Sequence, residues 1–254
     1  MTLADSAGWA FAVTAVCAVL ARLVGALTTD GAVAGAVVGA CVSAGFGLQG
    51  LAVLGTFFVV GTLATRIGWK TKKARGTAEA GEGRRDWKRV VGKGGVAAAC
   101  ALMYWLTLQL GITHPNMWDW ALAFTGALAA AVADTLGTEI GTLASSPPRA
   151  LPSLRRVPVG TPGAVSAAGT TGAAAGATVI AIVAWPTGFV STVGEGLGVV
   201  AAGLFASLAE SVAVGVGLRA PGFVRNVITT AVGAVLWWFI YQQLASWPLR
   251  RYAW

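Results

Sequence analysis

A chain of 254 residues with 56% hydrophobic and only 11% charged residues is too poor in charge for a soluble domain, where about a quarter of residues are charged. Its apolar runs reach roughly 17–25 residues, enough to cross a hydrocarbon core of about 30 Å as helices, so the expected class is an all-α, polytopic integral membrane bundle of about seven or eight transmembrane helices, one domain over residues 1–254. The net charge of +8 then belongs to loops that meet anionic lipid or phosphate. Nucleic acid is excluded, because Glu79, Glu82 and Asp86 break the basic loop and no recognition fold accompanies it.

In chain order, the apolar segments fall at about 8–27, 31–47, 49–65, 94–112, 118–143, 162–185, 189–218 and 223–246. They are continuously apolar, not alternating, which argues against a lipid-facing barrel. Removing the first as a secretory signal would leave the others, so a secreted protein is not expected. Small-residue patterns such as Gly31–Gly35–Gly39 and Gly172–Gly176 favour tight helix crossings. Cys17, Cys41 and Cys100 lie singly inside apolar runs, and His114 sits in a short loop. No usual zinc ligand set can be assembled from them.

The third and fourth segments are joined by the loop 66–93, which holds ten of the eighteen Lys and Arg residues. The positive-inside rule places this loop in the cytoplasm. The same rule brings the loop with Arg149, Arg155 and Arg156 and the loop with Arg219 and Arg225 to that side. Eight crossings would put both termini outside, with Arg250 and Arg251 on the disfavoured side; the alternative is that one segment does not cross. Lys93, beside Gly94 and Gly95, opens the fourth segment as a point charge suited to phosphate.

The fifth segment ends in "AVADTLGTEIG", with Asp134 and Glu139 in a membrane run. Ionisable groups there are expensive and mark functional sites. Five residues turn a helix by roughly 140° beyond a full turn, so the two acids flank one broad face. Gly137 and Gly141 would let the helix unwind and bring them together. With the hydroxyls of Thr135 and Thr138 they would form an all-oxygen group suited to Mg²⁺.

The motif loop 144–161 follows and is stiffened by Pro147, Pro148, Pro152 and Pro158. It carries Arg149, Arg155 and Arg156 and leads through Gly160, Thr161 and Gly163 to Ser166. Backbone N–H groups and hydroxyls at such a helix start favour an anion, although the Walker A spacing is absent. The run 189–218 is interrupted by "GEGLG", which reads as one tilted helix or as a broken pair. Glu195 and Glu210 are its acids. Arg225 and Asn226 open the last segment and, with Glu210 and Ser211, could join the site.

"ADTLGTEIG" followed by "PR…RRVPVGTPGAVSAAGT" resembles the polytopic family that includes transmembrane protein 19 and the phytyl-phosphate kinase of photosynthetic organisms. That family's pattern is roughly A-D-T-x-x-S-E-x-G, then V-P-x-G-T-x-G-G-V-S-x-x-G-T. "RRDWKRVVGKGGVA", "LFASLAES" and "FVRNVITTAVGAVL" are similar to its flanking segments. Thr138, Ala164, Lys93 and Glu210 stand where the family has Ser, Gly, Asn and Asp.

The resemblance implies a kinase that converts an isoprenyl monophosphate to the diphosphate with a nucleoside triphosphate, CTP, and Mg²⁺. Asp134 and Glu139 would be the catalytic metal ligands. Lys93, Arg149, Arg155, Arg156, Gly160, Thr161, Gly163, Ser166, Glu210 and Asn226 would bind substrate, with the isoprenyl tail in the lipid-facing groove and the site on the cytoplasmic side. Two rivals share these features: a lipid-phosphate cytidylyltransferase, and a non-enzymatic polyprenyl-lipid transporter.

Overall fold

The computed structural model describes residues 3–112 and 117–246. His114, Arg250 and Arg251 lie outside the described residues. The elements are α1 (Leu3–Leu23), α2 (Thr29–Arg66), the short α3 (Trp69–Ala74), a 3₁₀ turn (Ala80–Gly83), α4 (Trp87–Gln109), α5 (Met117–Gly141), the two-residue strands β1 (Arg149–Ala150), β2 (Arg155–Arg156) and β3 (Ala164–Val165), then α6 (Ala167–Ala184), α7 (Val193–Gly215) and α8 (Gly222–Ser246). Six of these helices (α2, α4, α5, α6, α7 and α8) are long and apolar enough to cross a membrane, and α1 adds a shorter apolar stretch, Gly8–Leu23.

α2 is not one rod. A straight helix of 38 residues would be about 57 Å long, yet both of its ends meet Arg85. Thr28 N donates to the Arg85 carbonyl at 3.1 Å, and a Cβ on Gly61 would stand 2.6 Å from Arg85 Nη2. The reversal is at Gly47 (φ 57°, ψ −145°), a backbone region open essentially only to glycine. α2 is therefore a helical hairpin, and its arms match the predicted segments 31–47 and 49–65. Beside the turn, Phe46 packs on Tyr104, Phe124 and Phe189 with ring centroids 4.8, 4.9 and 5.3 Å away. Counting each arm, the described residues provide eight helical passes.

α5 is the central post. Residues Ala127–Ala133 are all buried to within 1%, as expected of a helix apolar on every side. It touches α2, α4, α6, α7 and α8. Its alanines, and the glycines facing them, let backbones approach. On α6, a Cβ at Gly172 or Gly176 would stand 2.9 or 3.0 Å from the carbonyl oxygens of Leu136 and Val132.

Two expectations are corrected, and the choice left open for 189–218 is decided. α4 begins at Trp87, seven residues before the apolar run, because Asp86 caps it by accepting from Arg89 N at 3.0 Å. Lys93 therefore lies in the second turn of α4 and not at its start. The 189–218 run is a single helix beginning at Val193. Thr192 accepts from Glu195 N at 3.2 Å and Glu195 accepts from Ser191 N, just before the cap, at 2.7 Å, which gives Glu195 a structural task at the helix start. Finally, residues 162–166 are not helical: Pro162 and Gly163 form a turn, Ala164–Val165 are β3, and Ser166 caps α6 through Gly169 N at 3.1 Å.

The loops after α2, α5 and α7 lie on one face. Arg75 Nη1 donates to the carbonyls of Thr142 and Ala144 at 2.7 and 3.1 Å. A Cβ on Gly163 would stand 2.8 Å from the Ser211 carbonyl oxygen. The basic loops are thus clustered over one end of α5.

Candidate functional site

The segment "VPVGTPGAV" folds as two consecutive turns. Thr161 N donates to the Pro158 carbonyl and Ala164 N to the Thr161 carbonyl, both at 3.2 Å. Gly160 (φ 88°) and Gly163 (φ 74°) occupy the third positions, where a type II turn demands positive φ. The turns deliver the chain to β3, and β3 pairs with β1, which pairs with β2. This small sheet lays the motif loop over the end of α5.

Beneath it lies a cavity of about 380 Å³, lined from α4, α5, the motif loop, α6, α7 and α8. Of the residues singled out by sequence, Lys93, Asp134, Glu139, Gly160, Thr161, Gly163, Ser166, Glu210 and Asn226 reach its walls. Two helices point their N-termini at it, α6 through Ser166 and Gly169 and α8 through Gly222 and Arg225. Neither has an acid in its first turn, so their unpaired N–H groups and dipoles favour an anion.

Four charges from four helices meet in the wall. Lys93 Nζ donates to Asp134 Oδ2 at 2.6 Å and to Thr135 Oγ1 at 2.7 Å. Arg225 Nη1 lies 3.6 Å from Glu210 Oε1. The Asp134 and Glu210 carboxyl groups come within hydrogen-bonding reach of each other. Arg225 Nε is buried with no hydrogen-bond partner among the described residues. A buried guanidinium N–H left unpaired is costly, and an anion in the cavity would supply the missing acceptor. The sequence singled out Arg225 together with Asn226 as residues able to join the site, and both line the cavity. Thr135, Ser207 and Ser211 add hydroxyls.

The predicted partnership of Asp134 with Glu139 is not what the geometry gives. α5 stays helical through Gly141, so Gly137 and Gly141 do not unwind it and the acids remain on different sides. Glu139 Oε2 is 2.5 Å from Lys72 Nζ, and Glu139 Oε1 accepts from Thr65 Oγ1 at 3.0 Å. Lys72 is fully buried and also donates to the carbonyls of Ala64 and Thr65 at 2.8 and 3.3 Å. These carbonyls end α2, so the ammonium caps a helix C-terminus while neutralising Glu139. Glu139 is engaged in full; the carboxylate available to Asp134 is Glu210.

The three motif-loop arginines are likewise not brought to the cavity. Arg149, Arg155 and Arg156 lie on the exposed sheet, Arg149 facing Arg156 across the β1–β2 pair. Arg149 Nη1 donates to the Leu154 carbonyl at 2.9 Å. Strand pairing, which places all three on a solvated surface, decides their position.

Asp134 and Glu210, with hydroxyls from Thr135, Thr138 and Ser207 beside them, form an oxygen-only donor set. Mg²⁺ is commonly held by one or two carboxylates together with phosphate oxygens and water, so these residues fit that ion.

No solved structure matches the chain. An uncharacterized membrane protein of Synechocystis is 33% identical over 155 residues, 61% of this chain and 58% of that protein. Protein VTE6, chloroplastic, of Arabidopsis thaliana is 31% identical over 148 residues, 58% of this chain and 44% of that protein. An uncharacterized membrane protein of Methanocaldococcus jannaschii is 29% identical over 221 residues, 85% of this chain and 86% of that protein. The chain thus spans only about half the length of the first two. The model of the family described as integral membrane protein DUF92 matches residues 12–236; the chain belongs to that family, the polytopic one its A-D-T and V-P-x-G-T motifs resemble.

Proposed function

We propose that the protein is a membrane kinase that phosphorylates an isoprenyl monophosphate, such as phytyl phosphate, to the diphosphate, with CTP as donor. The observation that carries this reading is the cavity wall: a buried, unpartnered Arg225 Nε beside Lys93, facing two helix N-termini and a pair of carboxylates. This is a receptor for phosphate that also offers two ligands for a divalent cation. The resemblance of the motifs to the isoprenyl phosphate kinases supplies the reaction class.

Phosphoryl transfer requires alignment and charge neutralisation more than covalent help. An oxygen of the lipid monophosphate attacks the γ-phosphorus and a P–O–P bond forms. The bond between the γ-phosphorus and its bridging oxygen breaks, and the nucleoside diphosphate leaves with the electron pair. The attacking phosphate is already anionic, so no strong general base is needed. Lys93 and Arg225 hold phosphate oxygens, and the N-termini of α6 and α8 orient them. Asp134 and Glu210 would hold Mg²⁺, which when bound neutralises charge on the triphosphate.

A direct contrast tests the assignment. Arg225→Gln should lower catalytic efficiency about ten- to a hundredfold, the range for a lost hydrogen bond to a charged group. Arg149→Ala, on the exposed sheet, should leave it nearly unchanged. Steady-state kinetics of the two purified variants check this, and the reverse order would remove the cavity from the reaction.

The site is assigned to the cytoplasmic face because the loops around it carry most of the cations. Cysteines replacing Ala78 and Ser153 should resist a membrane-impermeant thiol reagent added to intact cells and react after permeabilisation. Efficient labelling of either in intact cells would overturn the orientation.

A further inference from the structure

A second cleft opens on the other side of α4, between α1, the two arms of α2 and the start of α4. Its volume is about 170 Å³, and Val13, Cys17, Val38, Leu51, Leu54 and Phe57 are among its walls. Arg85 and Arg89 stand at its mouth. From the level of Gly61 down to Leu51 the arm of α2 descends about 15 Å, so the cleft runs from the basic face into the apolar layer.

Arg85 is the unusual member. It is only 6% exposed, and among the described residues no acceptor lies within hydrogen-bond reach of its guanidinium. Instead the group sits 5.7 Å from the ring centres of both Phe57 and Phe58. Its backbone is strapped in place, with Arg85 N donating to the Ala26 carbonyl at 3.0 Å and the Arg85 carbonyl accepting from Thr28 N at 3.1 Å. Burial draws the guanidinium down from its ordinary value, and the charges of Glu79 and Glu139 oppose this; an arginine nevertheless stays cationic. A nearly buried cation with five N–H donors and no acceptor among the described residues calls for an anion. Rings alone satisfy its charge in part and none of its hydrogen bonds.

The cleft adjoins the catalytic cavity. A Cβ on Gly61 would stand 2.6 Å from Arg85 Nη2 and 3.4 Å from Thr135 Cγ2, and the Thr135 hydroxyl accepts from Lys93 at 2.7 Å. Arg85 and the Lys93 end of the cavity are therefore neighbours across a glycine. We propose that the cleft between α1, the α2 hairpin and α4 is the acceptor subsite: Arg85 holds the phosphate of a single-chain, long-chain phosphomonoester, and the apolar walls hold its tail. The identity of this lipid as acceptor rests on the proposed kinase reaction; its binding does not. The narrow volume admits one chain, which sets it apart from a two-chain phospholipid. Entry from the bilayer is natural, because the phosphate stays at headgroup level while the tail lies in the hydrocarbon layer.

Two variants test this. Arg85→Gln removes the charge. Gly55→Leu fills the cleft from a wall position where an added Cβ meets nothing within 4 Å, so the fold is retained even if Arg85→Gln proves unstable. Binding of farnesyl monophosphate to the purified protein in detergent, by native mass spectrometry, should fall about ten- to a hundredfold in Arg85→Gln and clearly in Gly55→Leu. Farnesol, phosphatidic acid and inorganic phosphate should each bind the wild type more weakly, and affinity for a non-hydrolysable nucleotide should be unchanged in both variants. If both variants bind farnesyl monophosphate like the wild type, or if phosphatidic acid or inorganic phosphate binds the wild type as well, the subsite is overturned. Wild-type binding without phosphoryl transfer would remove the kinase reading and leave the cleft standing. Transfer with an unchanged acceptor KM in both variants would do the opposite.

Discussion

Glu139→Gln is expected to destabilise the protein by about 3–5 kcal/mol, the range for removing one partner of a buried ion pair. The substitution keeps the shape but leaves the Lys72 ammonium, fully buried, with only two carbonyls and an amide oxygen. Thermal unfolding in detergent should show the loss, and the double variant Lys72→Met, Glu139→Gln should recover most of it, because a buried pair replaced by apolar or neutral groups of similar size is often tolerated. The recovered protein should retain turnover, since Glu139 serves to fasten α3 and the end of α2 onto α5. If Glu139→Gln is as stable as the wild type yet inactive, Glu139 belongs to the metal site after all and the Lys72 pair is incidental.

The contrast between the two acids shows what the sequence made legible. Both stand in one apolar run, and both are costly there, so a functional reading of the run is sound. Which acid does what depends on partners far away in the chain. Lys72 is 67 residues from Glu139 and Lys93 is 41 residues from Asp134. Within "WKTKKARG" nothing distinguishes Lys72 from its neighbours; only burial against α5 does. The motif arginines fail for the same reason, since their exposure comes from the pairing of β1 with β2.

The passes through the membrane were far easier to read. Lipid requires each spanning segment to satisfy its own backbone and to be apolar along its length, so the bundle is visible as continuous runs. Even the α2 hairpin was marked by the break at residue 48 between two runs, although the glycine that turns it, Gly47, looks like any other in a chain with 35. Polar helix starts were invisible. "WKRVVGK" reads as loop, yet Asp86 caps it and it carries Lys93 into the site. Helix boundaries at the water interface are set by caps, and hydropathy does not report them.

Asp134→Asn should abolish turnover. Lys93, unlike Lys72, is partly open to the cavity, and the amide side chain would retain a carbonyl oxygen for it, so the fold should persist, but the negative charge that pairs with Lys93 and would bind Mg²⁺ is gone. A loss of at least about a hundred- to a thousandfold is expected from removing a preorganised charged group at a reacting centre. Thermal unfolding should be close to that of the wild type. Glu210→Gln should behave similarly with a smaller loss, because the new side chain would keep a polar oxygen beside Arg225.

The measurement that reaches the kinase reading most directly is a product assay on the purified wild type and Asp134→Asn, with an isoprenyl monophosphate, Mg²⁺ and each of the four nucleoside triphosphates labelled in the γ-phosphate. The label is expected in the isoprenyl diphosphate with release of the nucleoside diphosphate, CTP being the best donor, and Asp134→Asn should yield neither product. Label released as pyrophosphate with a nucleotide attached to the lipid would mean nucleotidyl transfer, and no labelled lipid from the wild type with any of the four would contradict the kinase reading outright.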